Sequence, residues 1–293
     1  MTQSKFLLVI IYSIITFLID ASVNGNAQEI NRTKISYESK EEGVVANLLH
    51  EKNDSVLLFP YEKNFLLYTL TNNINKNAIQ KYDWADKARK DELLFQFSFA
   101  FPIWKRIISN NSILSASYTQ RSWWQILNIQ ESSPFRETNY EPQIFLGWST
   151  DYELANWILS DIQLGINHQS NGRSHITSRS WNRVFMRLMV EKEKWQIDFM
   201  PWLQIGETED NLDIIKYMGY YRLRTTYKWG KSKISAEGQY NWNSGYGGIN
   251  IGWSTSISPN LDFYIQIFNG YGESLIDYNY RQTRGGIGFI LNL

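Results

Sequence analysis

The chain of 293 residues contains no cysteine, and its formal net charge is zero, with 29 basic and 29 acidic residues. Without cysteine no disulfide can hold the fold, although an oxidising compartment outside the cytoplasm would allow one. Without a basic excess, nucleic acid is not expected as a partner. The fold must therefore be held by noncovalent contacts within a chain of balanced charge.

Long hydrophobic runs are also scarce. The run Phe6 to Leu18 follows Lys5 and precedes Gly25-Asn26-Ala27. This order of basic, apolar and small residues is typical of a secretory signal peptide, which we predict at 1–27, with a mature chain that begins near Gln28. A transmembrane anchor is the alternative, but the run is shorter than the roughly 20 residues that cross a bilayer.

Aromatic residues, in contrast, are abundant, with 12 Trp, 18 Tyr and 15 Phe. Amphipathic aromatics collect at the two interfaces of membrane β-barrels. A globular β-sandwich could also contain many aromatic residues, so this composition favours a membrane barrel only mildly.

Apolar and polar residues alternate through most of the mature chain, as in Phe95, Phe97 and Phe99 against Gln96 and Ser98. Such alternation is typical of strands with one apolar face. It predicts twelve strands, near 63–71, 93–103, 112–124, 143–153, 157–170, 180–190, 194–203, 216–227, 232–242, 246–256, 260–269 and 283–293.

An even number of strands of about 9–11 residues is typical of outer-membrane barrels. We therefore predict an all-β fold, a twelve-stranded antiparallel transmembrane β-barrel of the outer membrane at 63–293, after an N-terminal periplasmic segment at 28–62. Short and long connections alternate, except for a short turn after the ninth strand. Because such barrels have short periplasmic turns and longer outer loops, the fifth strand should end at the outer rim.

The fifth strand carries two polar residues on its apolar face. Ile158, Ile162, Leu164 and Ile166 share one face by alternation, and His168 and Ser170 continue the same row. Asn182, at the start of the sixth strand, has the parity of the apolar residues that follow it. Three polar side chains should therefore meet on the lipid side at the outer rim.

These three residues could form a nucleophilic site. Serine is a poor nucleophile until a base such as histidine takes its proton. The side-chain carbonyl of Asn182 could fix the imidazole tautomer, and Gly172 could offer a backbone N–H to an oxyanion. From the spacing alone, polar residues at a strand end near headgroups are the commoner explanation. His50 and His175 lie on no apolar row and are weaker candidates for the base.

Several longer motifs resemble the outer membrane phospholipase A family. The resemblance covers nearly all of the chain from about Asn64. It is carried by runs that include His168-Gln169-Ser170-Asn171-Gly172-Arg173-Ser174, Ser178-Arg179-Ser180-Trp181-Asn182-Arg183, Tyr118-Thr119-Gln120-Arg121-Ser122-Trp123-Trp124, Ser132-Ser133-Pro134-Phe135-Arg136-Glu137 and Gly270-Tyr271-Gly272-Glu273-Ser274-Leu275.

The resemblance implies a Ser–His–Asn triad at Ser170, His168 and Asn182, which hydrolyses acyl esters of phospholipids and lysophospholipids through an acyl-enzyme. It also implies a calcium-dependent homodimer. The implied calcium ligands are Ser178, the backbone carbonyl of Arg173 and Ser132 of the other subunit. Asp210 is implied as a calcium residue in the monomer, and Gln120 as the residue of the dimer contact. Without the resemblance, Ser132 and Ser178 would be ordinary loop hydroxyls, and Asp210 part of a solvated acidic loop.

The sequence thus predicts a serine esterase, a phospholipase A1/A2, in the outer membrane with its site facing the outer leaflet. The expected cofactor is calcium, and the expected partners are membrane phospholipid, outer-membrane lipid and a second copy of the chain. A passive diffusion barrel is the main alternative. A barrel protease fits poorly, because no acidic pair with a histidine is evident at the outer rim.

Overall fold

The structure, a computed structural model, describes residues 43–50, 58–206 and 210–292. The predicted signal peptide and residues 28–42 lie outside these ranges, as does residue 293. In chain order the elements are α1 Val44–His50, β1 Phe59–Pro60, β2 Asn64–Thr71, β3 Asp91–Lys105, β4 Ser112–Trp124, β5 Phe135–Leu154, β6 Trp157–Ser170, β7 Ser180–Lys192, β8 Trp195–Ile205, α2 Ile214–Met218, β9 Tyr221–Trp229, β10 Ser232–Asn241, β11 Tyr246–Ser258, β12 Leu261–Gly270 and β13 Gln282–Leu291.

Strands β2 to β13 form a closed antiparallel barrel of twelve strands. Each strand pairs with its neighbours in the chain, and β13 pairs with β2. The short strand β1 lies beside β3, where Pro60 is opposite Phe99. Closure leaves no open sheet edge, which lipid would not tolerate. The predicted fold class is therefore confirmed.

Most predicted strands match the observed ones within two residues at each end, and two differ more. Strand β5 begins at Phe135, before the predicted 143, because Arg136, Glu137 and Asn139 interrupt the apolar alternation that the prediction followed. The predicted strand at 216–227 begins at Tyr221, because the residues before it form the short helix α2.

The two faces of the strands differ in the expected way. Phe97 and Ile166, on the outer face, are 50% and 56% exposed, whereas Gln96 and Asn167, on the inner face, are 4% and 2% exposed. An apolar outside around a polar interior is the arrangement of a membrane barrel. The outer surface is therefore suited to lipid and the lumen to polar contacts.

One part of the predicted apolar row of β6 is wrong. A register shift between Leu159 and Asp161 places Leu159 opposite Val190 and Ile158 opposite Glu191. Because an extra residue reverses the alternation, Ile158 does not continue the row of Ile162. The row is intact from Ile162 to Ser170, so the candidate site is unaffected.

The long and short connections lie at opposite ends of the barrel. We call one end the long-loop rim; it carries the connections 72–90, 125–134, 171–179, 206–220, 242–245 and 271–281. The short-turn rim carries 106–111, 155–156, 193–194, 230–231 and 259–260. At 155–156, Ala155 and Asn156 both have positive φ, as in the tight hairpin turns that match strand twist.

The lumen contains a network of buried ion pairs. Arg187 forms two hydrogen bonds to Asp198, at 3.0 and 2.7 Å, and also lies 3.4 Å from Glu62. Arg222 and Arg224 contact the same two carboxylates. Shared partners offset the large desolvation cost of burying these charges.

Part of the predicted N-terminal segment lies within the barrel fold. In α1, Val45 and Leu48 are fully buried and belong to the same apolar cluster as Phe145. The backbone N–H of Val45 donates to Asp161 Oδ2 at 3.1 Å. Helix α1 packs against β3 to β6, so residues 44–50 belong to the fold although they precede the first wall strand at Asn64.

In the ranges that the structure describes, no helix is both long and apolar enough to cross a bilayer.

Replacing Arg187 with Met tests the contribution of the lumen network. The variant should lose about 3 kcal/mol in free energy of unfolding, because Asp198 and Glu62 stay buried with less compensating charge. Urea titration of the protein folded in lipid vesicles measures this change. The control Lys194→Met, in an exposed turn, should shift by no more than about 0.5 kcal/mol. Equal stability of both variants would contradict the assigned contribution.

Candidate active site

The pairing of β6 with β7 brings His168 and Asn182 together. The two residues are direct partners in the antiparallel register, and His168 Nδ1 lies 2.8 Å from Asn182 Oδ1. Because a carbonyl oxygen only accepts, this contact requires the proton on Nδ1 and leaves Nε2 with a free lone pair. The imidazole is therefore oriented as a base.

Ser170 lies two residues from His168 on the same outer face of β6. Its partner in β7 is Ser180. In the described part of the chain, the Ser170 hydroxyl makes no hydrogen bond to His168. Such contacts are often long in ligand-free sites and tighten when substrate binds. The structure thus forms one of the two expected side-chain contacts, and the candidate nucleophile Ser170 lies two residues along the same strand.

An apolar cavity of about 350 Å³ adjoins His168 and Asn182 on the outside of the barrel. Its other lining residues include Pro142, Ile144, Ile166, Ile205 and Gly206. A cavity with apolar walls beside a base suits a substrate whose reactive bond is attached to a hydrocarbon chain.

Polar contacts on the lumen side hold this pair of strands from behind. Asn167 and Arg183 are partners in the next row of the register. Both donate to Glu141 Oε1, at 2.8 and 2.9 Å. The guanidinium of Arg183 also lies 4.0 Å from the centre of the Trp181 ring. These buried contacts fix the strand positions of His168 and Asn182.

The loop that follows Ser170 is organised by Asn171, which is buried. Its Nδ2 donates to the carbonyl of Thr177 at 2.8 Å, and its Oδ1 accepts from the backbone N–H of Arg179 at 3.0 Å. These bonds close residues 171–179 into a compact loop. Sequence reasoning missed Asn171, since a polar residue after a strand gives no sign of burial.

Gly172 has a structural requirement for glycine. Its φ is +63°, and a Cβ there would lie 3.1 Å from the Tyr140 ring. A side chain would therefore be both strained and crowded. The backbone N–H of this exposed residue remains a candidate oxyanion donor.

Two of the predicted calcium ligands are in contact. Ser178 Oγ donates to Asp210 Oδ2 at 2.5 Å, which joins the loops 171–179 and 206–220. A carboxylate and a hydroxyl are hard oxygen donors of the kind that calcium prefers. Among the described residues no three His, Cys, Asp or Glu side chains converge on a metal site. A calcium site here would therefore need hydroxyl and carbonyl oxygens as ligands in addition to the carboxylate of Asp210.

Arg173 is held by its side chain, which leaves its main chain as the candidate ligand. Its Nε lies 3.1 Å from Glu137 Oε2. The guanidinium also donates to the Tyr82 hydroxyl and to the carbonyl of Arg136. Tyr82 and Glu137 were not found from the sequence, because nothing in their spacing connects them to residue 173.

Ser132 stands apart from the other candidate ligands. It is exposed, has a φ of +60°, and follows the short 3₁₀ turn Ile129–Glu131. Within the described ranges its side chain makes no hydrogen bond to Ser178 or Asp210. The lack of such a bond is compatible with the expectation that Ser132 binds calcium at the site of another subunit. A single chain does not test that expectation.

Gln120 is hydrogen-bonded within its own chain. Its Oε1 accepts from the Tyr118 hydroxyl at 3.1 Å, and its Nε2 donates to Ser122 Oγ at 3.3 Å. Ser122 Oγ lies 3.1 Å from Thr138 Oγ1. The Gln120 amide is therefore not an unpaired polar group on the lipid side. An amide with two donor hydrogens can keep these bonds and still bind across an interface.

The other histidine that could act as a base is not positioned for it. His175 is exposed in a 3₁₀ turn of the loop 171–179, with a φ of +56°. The side chain of His50 lies outside the described residues.

A buried cluster at the long-loop rim fixes the loop 271–281. Arg136 Nε lies 2.7 Å from Glu92 Oε1, and its Nη1 lies 2.6 Å from Asp277 Oδ2. Arg284 contacts Glu92 and Glu273 at 2.9 and 3.0 Å. Burial raises the pKa of Glu273 above its ordinary value, although the neighbouring Arg284 opposes the shift. Charged residues at strand ends were the only sequence sign of this cluster.

The same loop also contacts the segment that carries Asp210. The Tyr278 hydroxyl donates to Asp213 Oδ1 at 2.6 Å. Burial and this hydrogen bond to a carboxylate raise the pKa of Tyr278 above its ordinary value. Asn211 Oδ1 in turn accepts from the backbone N–H of Ser180 at 2.9 Å. Three loops therefore support one another around the start of β7.

Comparison with known proteins identifies the family to which this chain is similar. The family model described as Phospholipase A1 matches residues 44–291. Phospholipase A1 of Klebsiella pneumoniae is 58% identical over 249 residues, which cover 85% of this chain and 87% of that protein. Phospholipase A1 of Escherichia coli K12 is 56% identical over 249 residues, covering 85% and 86%.

A solved structure shows the same fold. The outer membrane phospholipase of Salmonella typhi, a dimer with bound calcium, has a TM-score of 0.84 and 56% identity, and the match covers 85% of this chain and 97% of that one. The described part of this chain thus spans nearly the whole of that structure.

Arg136→Gln tests whether the buried cluster holds the loop 271–281. Amide hydrogen exchange in that loop should accelerate by about tenfold or more, because Asp277 loses its close cation and local opening becomes easier. Mass spectrometry of the protein in lipid nanodiscs measures the exchange. Arg89→Gln, which removes a half-exposed ion pair with Asp91, is the control and should leave the loop unchanged. Unaltered exchange in Arg136→Gln would show that other contacts hold the loop.

Proposed function

Because the chain belongs to the phospholipase A1 family, we propose that it is a calcium-dependent phospholipase whose catalytic triad is Ser170, His168 and Asn182. The observation that carries the proposal is the contact of 2.8 Å between His168 Nδ1 and Asn182 Oδ1 on the outer face of the barrel. One of the related Escherichia coli structures is that of an active-site mutant in which an asparagine is replaced by alanine. That description supports a catalytic asparagine.

In the proposed reaction, Ser170 Oγ attacks the carbonyl carbon of an acyl ester while His168 Nε2 takes its proton. The backbone N–H of Gly172 stabilises the resulting oxyanion. Collapse of the tetrahedral intermediate breaks the ester bond, and the imidazolium gives its proton to the leaving alcohol oxygen. Water, deprotonated by His168, then attacks the acyl carbon. The bond from that carbon to Ser170 Oγ breaks, the imidazolium returns its proton to Ser170 Oγ, and the fatty acid leaves.

Asn182 orients the imidazole without adding charge. Because the site borders hydrocarbon, an ionised carboxylate in this position would be costly to desolvate. The neutral amide still stabilises the imidazolium through the hydrogen bond that Nδ1 donates to it. The apolar cavity beside His168 is a suitable place for the acyl chain of the substrate.

The proposed substrates are the phospholipids and lysophospholipids of the outer membrane, cleaved at either acyl ester. The names of the relatives support cleavage of a phospholipid acyl ester. The site lies at the long-loop rim and faces lipid, which corresponds to the outer leaflet if the short turns are periplasmic. Substrate would then reach Ser170 from the bilayer and not through the lumen.

The proposed calcium ligands are Ser178, the carbonyl of Arg173 and Ser132 of the partner subunit, with Asp210 as a ligand in the monomer. The contact between Ser178 and Asp210 supports this set. The guanidinium contacts of Arg173 hold the backbone of Arg173, which belongs to the same loop as Ser178. Calcium, when bound, would polarise the ester carbonyl and stabilise the negative charge that develops on its oxygen.

We also propose that the active form is a homodimer with Gln120 at the contact. The amide keeps its bonds to Tyr118 and Ser122 and adds one across the interface, worth about 1 kcal/mol in a membrane. The calcium-bound dimer of the Salmonella typhi relative supports this assembly.

The test of the triad is hydrolysis of micellar phospholipid by single variants. Ser170→Ala and His168→Ala should each lower kcat by about a thousandfold or more, because both groups act in the bond-making step. Asn182→Ala should lose about 10- to 100-fold, the value of one orienting hydrogen bond. The matched controls Ser174→Ala and His175→Ala, in the adjacent loop, should retain wild-type kcat. If the Ser170→Ala variant retained activity, the proposed triad would be wrong.

The test of the calcium site has two measurements. A chelator should abolish hydrolysis, and Ser178→Ala should raise the calcium concentration for half-maximal activity by about tenfold, since a direct ligand is lost. Calcium should also raise the Tm of the wild type, because a ligand that binds the folded state stabilises it. The Tm shift should shrink in Ser178→Ala and persist in Ser174→Ala. Identical calcium responses in the two variants would exclude Ser178 as a ligand.

A further inference from the structure

A second cavity, of about 640 Å³, lies on the outer face of the barrel between β9 and β12. Its floor is formed by Ala236 and Gly238 in β10. In the strand register Gly238 lies between Leu223 of β9 and Ile249 of β11, and Ala236 has Thr225 as its β9 partner. Small residues flanked by larger ones leave a groove along β10. We call it the β10 groove.

The cavity continues from the β10 groove across β11 to a cation beside β12, because Ile249 of β11 has Gly238 on one side and Asn269 of β12 on the other. Arg281 lines the cavity, and its Nη2 lies 3.5 Å from Asn269 Oδ1. Arg281 is exposed and, in the part of the chain that the structure describes, has no ion-pair partner. Arg187, Arg222 and Arg224 in the lumen, in contrast, each contact acidic side chains.

The β10 groove lies opposite the candidate dimer contact. Around the barrel, β10 is six strands from β4, which carries Gln120, in a ring of twelve. A dimer formed through Gln120 therefore leaves the β10 groove facing lipid. The groove is also separate from the cavity beside His168, which lies between β5 and β8.

We propose that the β10 groove binds a glycerophospholipid, with one acyl chain along Ala236 and Gly238 and the phosphate against Arg281. A guanidinium matches the geometry of a phosphate and can bind it through two hydrogen bonds. Arg281 is the single cationic side chain among the residues that line the cavity. A glycolipid with many chains and several phosphates would need more cations.

The absence of cysteine allows a site-specific test. A single cysteine is introduced as Thr225→Cys in the groove wall, or as Leu70→Cys, a lipid-facing reference on β2, and is labelled with a fluorophore. Detergent-solubilised protein is titrated with a diether phosphatidylglycerol that has brominated chains, which quench on contact and resist ester hydrolysis. A brominated dialkylglycerol without phosphate serves as the second probe.

The label at residue 225 should be half quenched at about a tenfold lower mole fraction of the phospholipid than the label at residue 70. Arg281→Gln should remove most of this difference, because a charge-assisted hydrogen bond to phosphate is lost. Ala236→Leu should remove it by filling the groove, whereas the control Ile234→Leu, lower on the same face of β10, should keep it. Retained heat-modifiable mobility in electrophoresis checks that each variant is folded.

Equal midpoints at the two labels would mean ordinary annular lipid and would overturn the proposal. It would also be overturned if the lipid without phosphate bound equally well, or if Arg281→Gln had no effect, because the groove would then not recognise phosphate. None of these outcomes depends on ester hydrolysis, so the proposed enzymatic function stands or falls separately.

Discussion

The structure depends on one constraint, which is that every backbone polar group within a bilayer needs a partner. Closing β13 onto β2 meets this requirement and fixes the register of every strand in between. Register in turn decides which side chains face lipid. His168 and Asn182 meet because they are direct partners in β6 and β7 with the same outward parity. The candidate chemistry is therefore a consequence of backbone pairing, and no loop has to bring these two residues together.

The two surfaces of the barrel have different tasks. Inside, the shared contacts of Arg187, Arg222 and Arg224 with Asp198 and Glu62 hold the strands, and Asn167 and Arg183 support the row behind the candidate site. Outside, the surface is largely apolar, and His168, Ser170, Asn182 and Gln120 are among the polar residues on it. Because the polar support is on the lumen side, the lipid side is free to bind an acyl chain next to the imidazole.

The sequence predicted what depends on alternation. The barrel, the strand count and the outward row from Ile162 to Ser170 follow from the period-two pattern, and Asn182 follows from parity across one connection. The beginning of β5 was missed because Arg136, Glu137 and Asn139 break that pattern, and Ile158 was misplaced because a bulge gives no sequence signal.

Contacts between distant loops were also beyond the sequence. Arg173 meets Tyr82 and Glu137, and Arg136 meets Asp277, across separations that neither spacing nor composition encodes. The proposed calcium ligands and the proposed dimer contact came from family resemblance. The structure adds the contacts that Ser178 and Gln120 make within one chain.

Helix α1 has a consequence for assembly. It precedes β2 in the chain, yet it packs against β3 to β6, with Val45 bonded to Asp161. The seam between β2 and β13 joins the earliest and the latest transmembrane strands, so it cannot form until the whole chain has arrived. Helix α1 must therefore become enclosed within the barrel when this last seam closes.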